Sequence, residues 1–162
     1  MYFYPIEKDA FFTVLEAVRA KAVAEATKIA TAKGIKMRVD RTKPVDFGLT
    51  DYKIPTATQT YTLKENTAFF PAGIFNNDDS FDYIRWWSGA GVIWIGEWFV
   101  RDIYYMTQKQ GVYAGNLEHY EFRGPETFRF SAHSTTGAAS VDAWFIAFTV
   151  RPESMAEVRI IQ

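Results

Sequence analysis

One long stretch of helical periodicity, followed only by short runs of period two, constrains this chain more than any other feature. Over residues 10–33, Phe11, Val14, Leu15, Val18, Ala22, Ala26 and Ile29 fall on one face of a helical wheel. Thr13, Glu16, Thr27, Lys28 and Thr31 fall on the other, which is the pattern of an amphipathic helix. Asp9 is placed as an N-cap and Gly34 as the residue that ends the helix in a left-handed turn. Such a helix is about 36 Å long, as long as a small domain is wide. Alanines at 20, 22, 24, 26, 30 and 32 make its second half thin enough to lie close against whatever covers it.

After Gly34 the period drops to two. Ile35, Met37 and Val39 alternate with Lys36 and Arg38. Residues 56–63 set threonines at 56, 58, 60 and 62 between Ala57, Gln59, Tyr61 and Leu63, the clearest strand in the chain. Further strands are expected over 68–70, 81–87, 92–105, 117–122, 127–132, 140–150 and 157–161. Turn signals separate them: Lys64-Glu65-Asn66, Pro71-Ala72-Gly73, Asn76-Asn77-Asp78-Asp79, Ser88-Gly89-Ala90-Gly91, Ala114-Gly115-Asn116, Gly124-Pro125 and Ser134-Thr135-Thr136-Gly137. Pro44, Gly48 and Pro55 punctuate a linker-like stretch.

About eight short, closely spaced strands give a mainly β fold. The expectation is an antiparallel β-sandwich, jelly-roll-like, with one long N-terminal α-helix. Residues 1–43 read as an amphipathic helical arm with the first short strand, and residues 44–162 as the sandwich domain. Charge follows that division. Residues 1–43 carry nine Lys/Arg against five Asp/Glu, and the remainder nine against fourteen.

Several kinds of chemistry are excluded by composition. The 162 residues contain no cysteine, which removes disulfide scaffolds, thiolate zinc sites and cysteine nucleophiles. There are two histidines, His119 and His133, too few for a histidine-rich metal site. No Gly-x-Ser-x-Gly occurs, and Gly89 and Gly91 lie between strands rather than ahead of a helix, so no phosphate loop is signalled. Glu97 and Asp102 suggest a carboxylate pair, but their odd separation puts them on opposite faces of a regular strand unless Gly96 marks a bulge. Asn76, Asp78, Ser80 and Asp82 space oxygen donors like the first half of a calcium loop. Phe81 and Trp87 stand where such a loop needs Gly and Glu, so an EF-hand is ruled out and an irregular calcium loop stays open. The chain is read as a non-enzyme without cofactors.

What the sequence has in excess is aromatic side chains, 17% of the chain. Trp86 and Trp87 precede the Gly turn and Trp94 and Trp98 follow it, interleaved with Asp82, Arg85, Glu97 and Arg101. Two uses are open. The tryptophans can form sandwich core or a subunit contact. Alternatively Trp86, Trp87 and Trp94, with Asp82 and Arg85, can form a flat platform for a carbohydrate. The helix has three open fates: packing on its own sheet, on a partner subunit, or on a membrane surface through its apolar stripe and Lys21, Lys28 and Lys33.

One N-terminal helix at 10–33, strands from Thr56 to Val150 and a closing strand Ala143-Trp144-Phe145-Ile146-Ala147-Phe148-Thr149-Val150 that ends at Arg151-Pro152 make an outline that resembles a known group. It is similar, at the level of architecture, to the single jelly-roll capsid proteins of tailless icosahedral viruses and phages. The resemblance implies self-assembly into a shell, location in the virion, and contacts with copies of itself and with other virion proteins. No site residue is carried over from it.

The expected function is therefore a non-enzymatic structural protein, with carbohydrate binding as the alternative. Contact residues are expected to be Phe11, Leu15, Val18 and Ile29 on the helix and Trp86, Trp87, Trp94 and Trp98 on the hairpin. No secretory leader is visible and no apolar run approaches the roughly 18 residues of a membrane span. Soluble synthesis is expected, and no nucleic-acid partner.

Overall fold

The computed structural model describes residues 4–41, 53–55, 59–76, 81–88, 93–99, 112–115, 121–137 and 140–153. In chain order the elements are β1 (Tyr4–Glu7), α1 (Lys8–Lys33), β2 (Met37–Arg41), β3 (Lys53–Pro55), β4 (Gln59–Thr62) and β5 (Ala68–Asn76). They continue with β6 (Phe81–Ser88), β7 (Ile93–Phe99), β8 (Val112–Gly115), β9 (Phe122–Arg123), β10 (Thr127–Ser134) and β11 (Ser140–Pro152).

α1 forms where the apolar stripe predicts it. Its first residue is Lys8, so Asp9 lies within the first turn and acts through its charge near the helix N-terminus rather than as the cap. Gly34 ends the helix at φ 66°, and its N–H donates to the Ala30 carbonyl at 2.9 Å. Any other residue would strain there, because a Cβ disfavours the left-handed region.

The strands form two antiparallel sheets. The larger runs β1-β8-β5-β11-β2, with β3 paired to β11 and β9 to β5; the smaller runs β4-β10-β6-β7. Eight of these strands, β2, β4, β5, β6, β7, β8, β10 and β11, build the sandwich. Numbered one to eight in chain order, they lie as 1-8-3-6 in the larger sheet and 2-7-4-5 in the smaller. That is the two-Greek-key order of a jelly roll. The three short remaining strands extend the larger sheet.

Three layers result, with two cores. Between α1 and the larger sheet, Val18, Ala22 and Ala26 pack on Ala68, Phe70, Ala72, Phe148 and Val150, with Val14, Leu15, Ile29, Met37 and Val39 at the margin. The alanines let the helix axis come close to the sheet. Between the sheets, Phe128 stacks against Tyr61, Phe69 and Phe122 with ring centroids 5.4, 5.7 and 4.7 Å apart. Phe145 meets Phe69 edge-on at 6.4 Å. Phe69 and Phe70 are adjacent, so a strand turns them to opposite faces and each fills a different core.

Four expectations need correction. Pro71-Ala72-Gly73 is not a turn. β5 continues through it, pairing Pro71 with Ala147 and Gly73 with Ile146, so Ala72 is the extra residue of a bulge and is fully buried. Within sheets proline is confined to edges, strand starts and bulges, and Pro71 sits next to this one. Ala114-Gly115 is strand, pairing with Pro5 and Tyr4 of β1. Lys53–Pro55, inside the stretch read as linker, pairs with β11. The first sandwich strand begins at Met37 rather than Ile35.

The turn at Lys64-Glu65-Asn66 is present, with Asn66 at φ 63°. The expected strands over 92–105 and 117–122 are seen as β7 and at Phe122; 100–105, 117–120, 157–161 and 56–58 lie outside the described residues, as does the Gly turn at 89–91. Within the segment expected as an arm, β1 and β2 hydrogen-bond into the larger sheet and α1 packs on it.

Candidate functional site

The larger sheet has a helix on one face and the smaller sheet on the other. The smaller sheet has the sandwich core on one face, and among the described residues no element covers the other. Strand alternation decides what stands there. On β10, Phe128 and Ala132 are buried, while Arg129 and His133 alternate with them. On β6, Ile84 is fully buried and Tyr83, Arg85 and Trp87 occupy the alternate positions. β10 and β6 pair Arg129 with Trp87 and Ser131 with Arg85.

The result is a row of rings and cations. The Tyr83 and His133 rings stack at 4.9 Å, nearly parallel. The Arg85 guanidinium lies over the Tyr83 ring at 4.9 Å, and the Arg129 guanidinium over the Trp87 ring at 5.6 Å. Asp82 Oδ2 lies 3.6 Å from His133 Nδ1, beyond hydrogen-bond reach. These groups can hold a planar or charged partner. Among the described residues no three His, Asp or Glu side chains converge to hold a metal.

The expected site residues divide as follows. Trp87 and Trp94 are register partners across β6 and β7, and Arg85 pairs with Glu97. Trp86 alternates with Trp87 and pairs with Phe130 and Gly96, and Trp98 pairs with Ile84, so backbone register separates these two from Trp87 and Trp94. The register shifts between the Trp86 and Trp87 pairings, at Ile95, which precedes Glu97 and so does not bear on whether Glu97 and Asp102 share a face. Asp82 and Arg85 are both on β6. His119, Asp102, Arg101 and positions 77–80 of the calcium-loop candidate lie outside the described residues.

On the helix, Phe11 and Val18 are 4% and 1% exposed and Leu15 and Ile29 are half-buried; Val18, Leu15 and Ile29 pack against the chain's own larger sheet. Of the three fates open to the apolar stripe, packing on its own sheet is the one observed. No helix among the described residues is long and apolar enough to cross a membrane.

Sequence reasoning passed over Tyr83, Arg129 and the stacking role of His133. Tyr83 sits two residues from Arg85, a readable signal on one strand. Arg129 and His133 come from a strand some fifty residues away, and only the register of β10 on β6 brings them there.

Two ion-pair clusters bind elements together. Asp40 accepts from Arg151 Nε at 2.8 Å and lies 2.8 Å from Arg38 Nε; Arg151 is 4% exposed. Arg38 and Arg151 are register partners, and the carboxylate beside them offsets their repulsion. Burial works to raise the Asp40 carboxyl, but hydrogen bonds from Arg38 and Arg151, with their charges, outweigh it and hold it below the usual carboxylate value.

The second cluster ties α1 to β9. Arg123 pairs with Glu121 and, at 3.1 Å, with the buried Glu25 of α1, while its guanidinium overlies Phe70 at 5.9 Å. The hydrogen bond to Glu121 is the chief cause that raises the guanidinium above its ordinary value. Glu25 therefore belongs to the covered stripe although its charge marks it as a surface residue.

No protein-family model matches this sequence, and no curated protein is similar to it. Among solved structures, the crystal structure of the Aeromonas sobria serine protease and the chaperone (ORF2) complex is similar at 9% identity and a TM-score of 0.27. The match covers 73% of this chain and 26% of that one. A likeness of that size carries nothing about fold or function to this chain.

Proposed function

We propose that this chain is a structural subunit that works by associating with copies of itself, as a capsid or other virion component does. The observation that supports this reading is the jelly-roll strand order, with a helix layer closing the outer face of the larger sheet. Jelly rolls also serve lectins and cupins, so the strand order supports the reading by analogy of fold. Two cores, the one between the sheets aromatic, make a rigid body. A net charge of −1 keeps repulsion between copies low. Under this reading the partners are further copies of the chain and other virion proteins.

Light scattering on a sizing column over a wide concentration range tests it. Discrete oligomers or particles that grow with concentration are the expected result. The mass of one chain at every concentration would overturn it.

Carbohydrate binding is the second reading. It is favoured by Trp87 and Trp94 being register partners, with Arg85 two positions along β6 on the same side as Trp87. Arg129 over Trp87, and Arg85 and His133 on Tyr83, mean that a sugar would have to take the place of a cation or an imidazole. Trp87→Ala should abolish capture on a glycan array while leaving the melting temperature nearly unchanged. Equal capture by both forms would exclude this site.

A further inference from the structure

α1 has a second stripe that its own sheet does not use. Phe12, Glu16, Arg19, Val23 and Thr27 recur at spacings of three and four, which brings them to one side of a helix and is the spacing of a helix–helix seam. Phe12 and Val23 are the large apolar side chains exposed among the described residues, at 49% and 46%. They stand about 16 Å apart along the axis. Midway between them lie Glu16 and Arg19, 3.8 Å apart and both mostly exposed. Lys21 and Lys28 fall on the far flank of the wheel.

The arrangement is self-complementary. Phe12 and Val23 are equidistant from the midpoint of Glu16 and Arg19, and the two charges are opposite. We propose that α1 pairs antiparallel with α1 of a second copy of this chain, about a two-fold axis passing between Glu16 and Arg19. In that pairing Phe12 lies beside Val23 of the other copy, and Glu16 faces Arg19 of the other copy, in both directions at once. This is the form of an isologous contact, in which one patch serves both sides. The opposite charges fix the register and the antiparallel sense. Two helices of this length bury less than the roughly 1,200 Å² of a standard interface, so the contact is weak singly and gains strength among many copies. The proposal rests on the self-association reading and names its seam.

The test uses the full chain and sedimentation or light scattering, with melting temperature as a check on folding. Phe12→Ser with Val23→Ser should weaken association at least about tenfold and leave melting nearly unchanged, since both side chains are exposed. Glu16→Lys alone and Arg19→Glu alone should each weaken it, because like charges then face across the axis. An equimolar mixture of those two variants should restore association, since each carries the charge the other lacks. The pair within one helix cannot produce that rescue. If wild type associates and the variants associate as tightly, the seam is elsewhere and self-association stands. If the mixture shows no rescue, the two-fold pairing is wrong. A wild-type chain that is monomeric throughout overturns the pairing and the self-association reading together.

Discussion

The two sheets of this molecule face different surroundings, and their sequences say so. Strand β5 of the larger sheet reads Ala-Phe-Phe-Pro-Ala-Gly-Ile-Phe-Asn and the core of β11 reads Ala-Trp-Phe-Ile-Ala-Phe-Thr-Val, near-continuous apolar runs. Strand β10 of the smaller sheet reads Thr-Phe-Arg-Phe-Ser-Ala-His-Ser, a strict alternation. A strand covered on both faces must be apolar at every position, whereas one covered on a single face alternates. The helix layer is thus written into the strands it covers. Among the described residues, the outer face of the smaller sheet and the outer flank of α1 are left for outside contacts.

Substitutions at the centre of the sandwich should separate the two faces most sharply. Phe128→Ala removes the ring on which Tyr61, Phe69 and Phe122 stack, and should cost about 3–5 kcal/mol in chemical denaturation. A loss no larger than that of a surface change would break the assignment of inner and outer faces.

Gly124→Ala is next. A Cβ there would stand 1.7 Å from the Lys64 carbonyl oxygen, where two turns lock through Gly124 N–H to Thr67 O and Leu63 N–H to Glu126 O. Backbone must shift against backbone, so a loss of about 3 kcal/mol is expected. An unchanged melting temperature would mean that these turns do not meet.

Asp40→Asn should cost about 2 kcal/mol at neutral pH, by weakening charged hydrogen bonds to Arg38 and Arg151. Asp40's folded pKa is depressed, so the unfolded chain takes up the proton first. The stabilisation is complete above the unfolded value, about 3.9, and is lost as pH falls through the folded one. In acid titrations the variant should therefore lose less stability than wild type between neutral pH and that range. Equal losses would show that Asp40 contributes nothing to the acid limb.

The smallest effect belongs to the outer face. Tyr83→Ala, which breaks the stack on His133 and the contact with Arg85, should cost less than about 1 kcal/mol. A loss comparable to that of Phe128→Ala would show that this face is covered after all.

Much of the helix was legible because its signal is local. The stripe from Phe11 to Ile29, its stop at Gly34 and the strand at Gln59–Thr62 each follow from spacing within one segment. The misread stretches had local signals that tertiary pairing overrode. Pro71-Ala72-Gly73 has the composition of a turn, and it became strand because β11 supplies a partner and the proline sits next to a bulge. Glu25 has the charge of a surface residue, and it is buried because Arg123 of the distant β9 meets it. Trp86 and Trp87 read as one cluster, and the strand puts them at successive register positions with different partners.

By itself the sequence determined the class of fold: a helix of period 3.6, then strands of period two, with no thiol chemistry and an excess of aromatic side chains. Those properties depend on neighbours a few positions apart. The tertiary structure alone decided that α1 lies on its own sheet, which of its faces is left outside, and that Arg129 and His133 join Tyr83, Arg85 and Trp87. Those outcomes depend on register between segments tens of residues apart, and side-chain period within one strand carries no information about which strand will lie beside it.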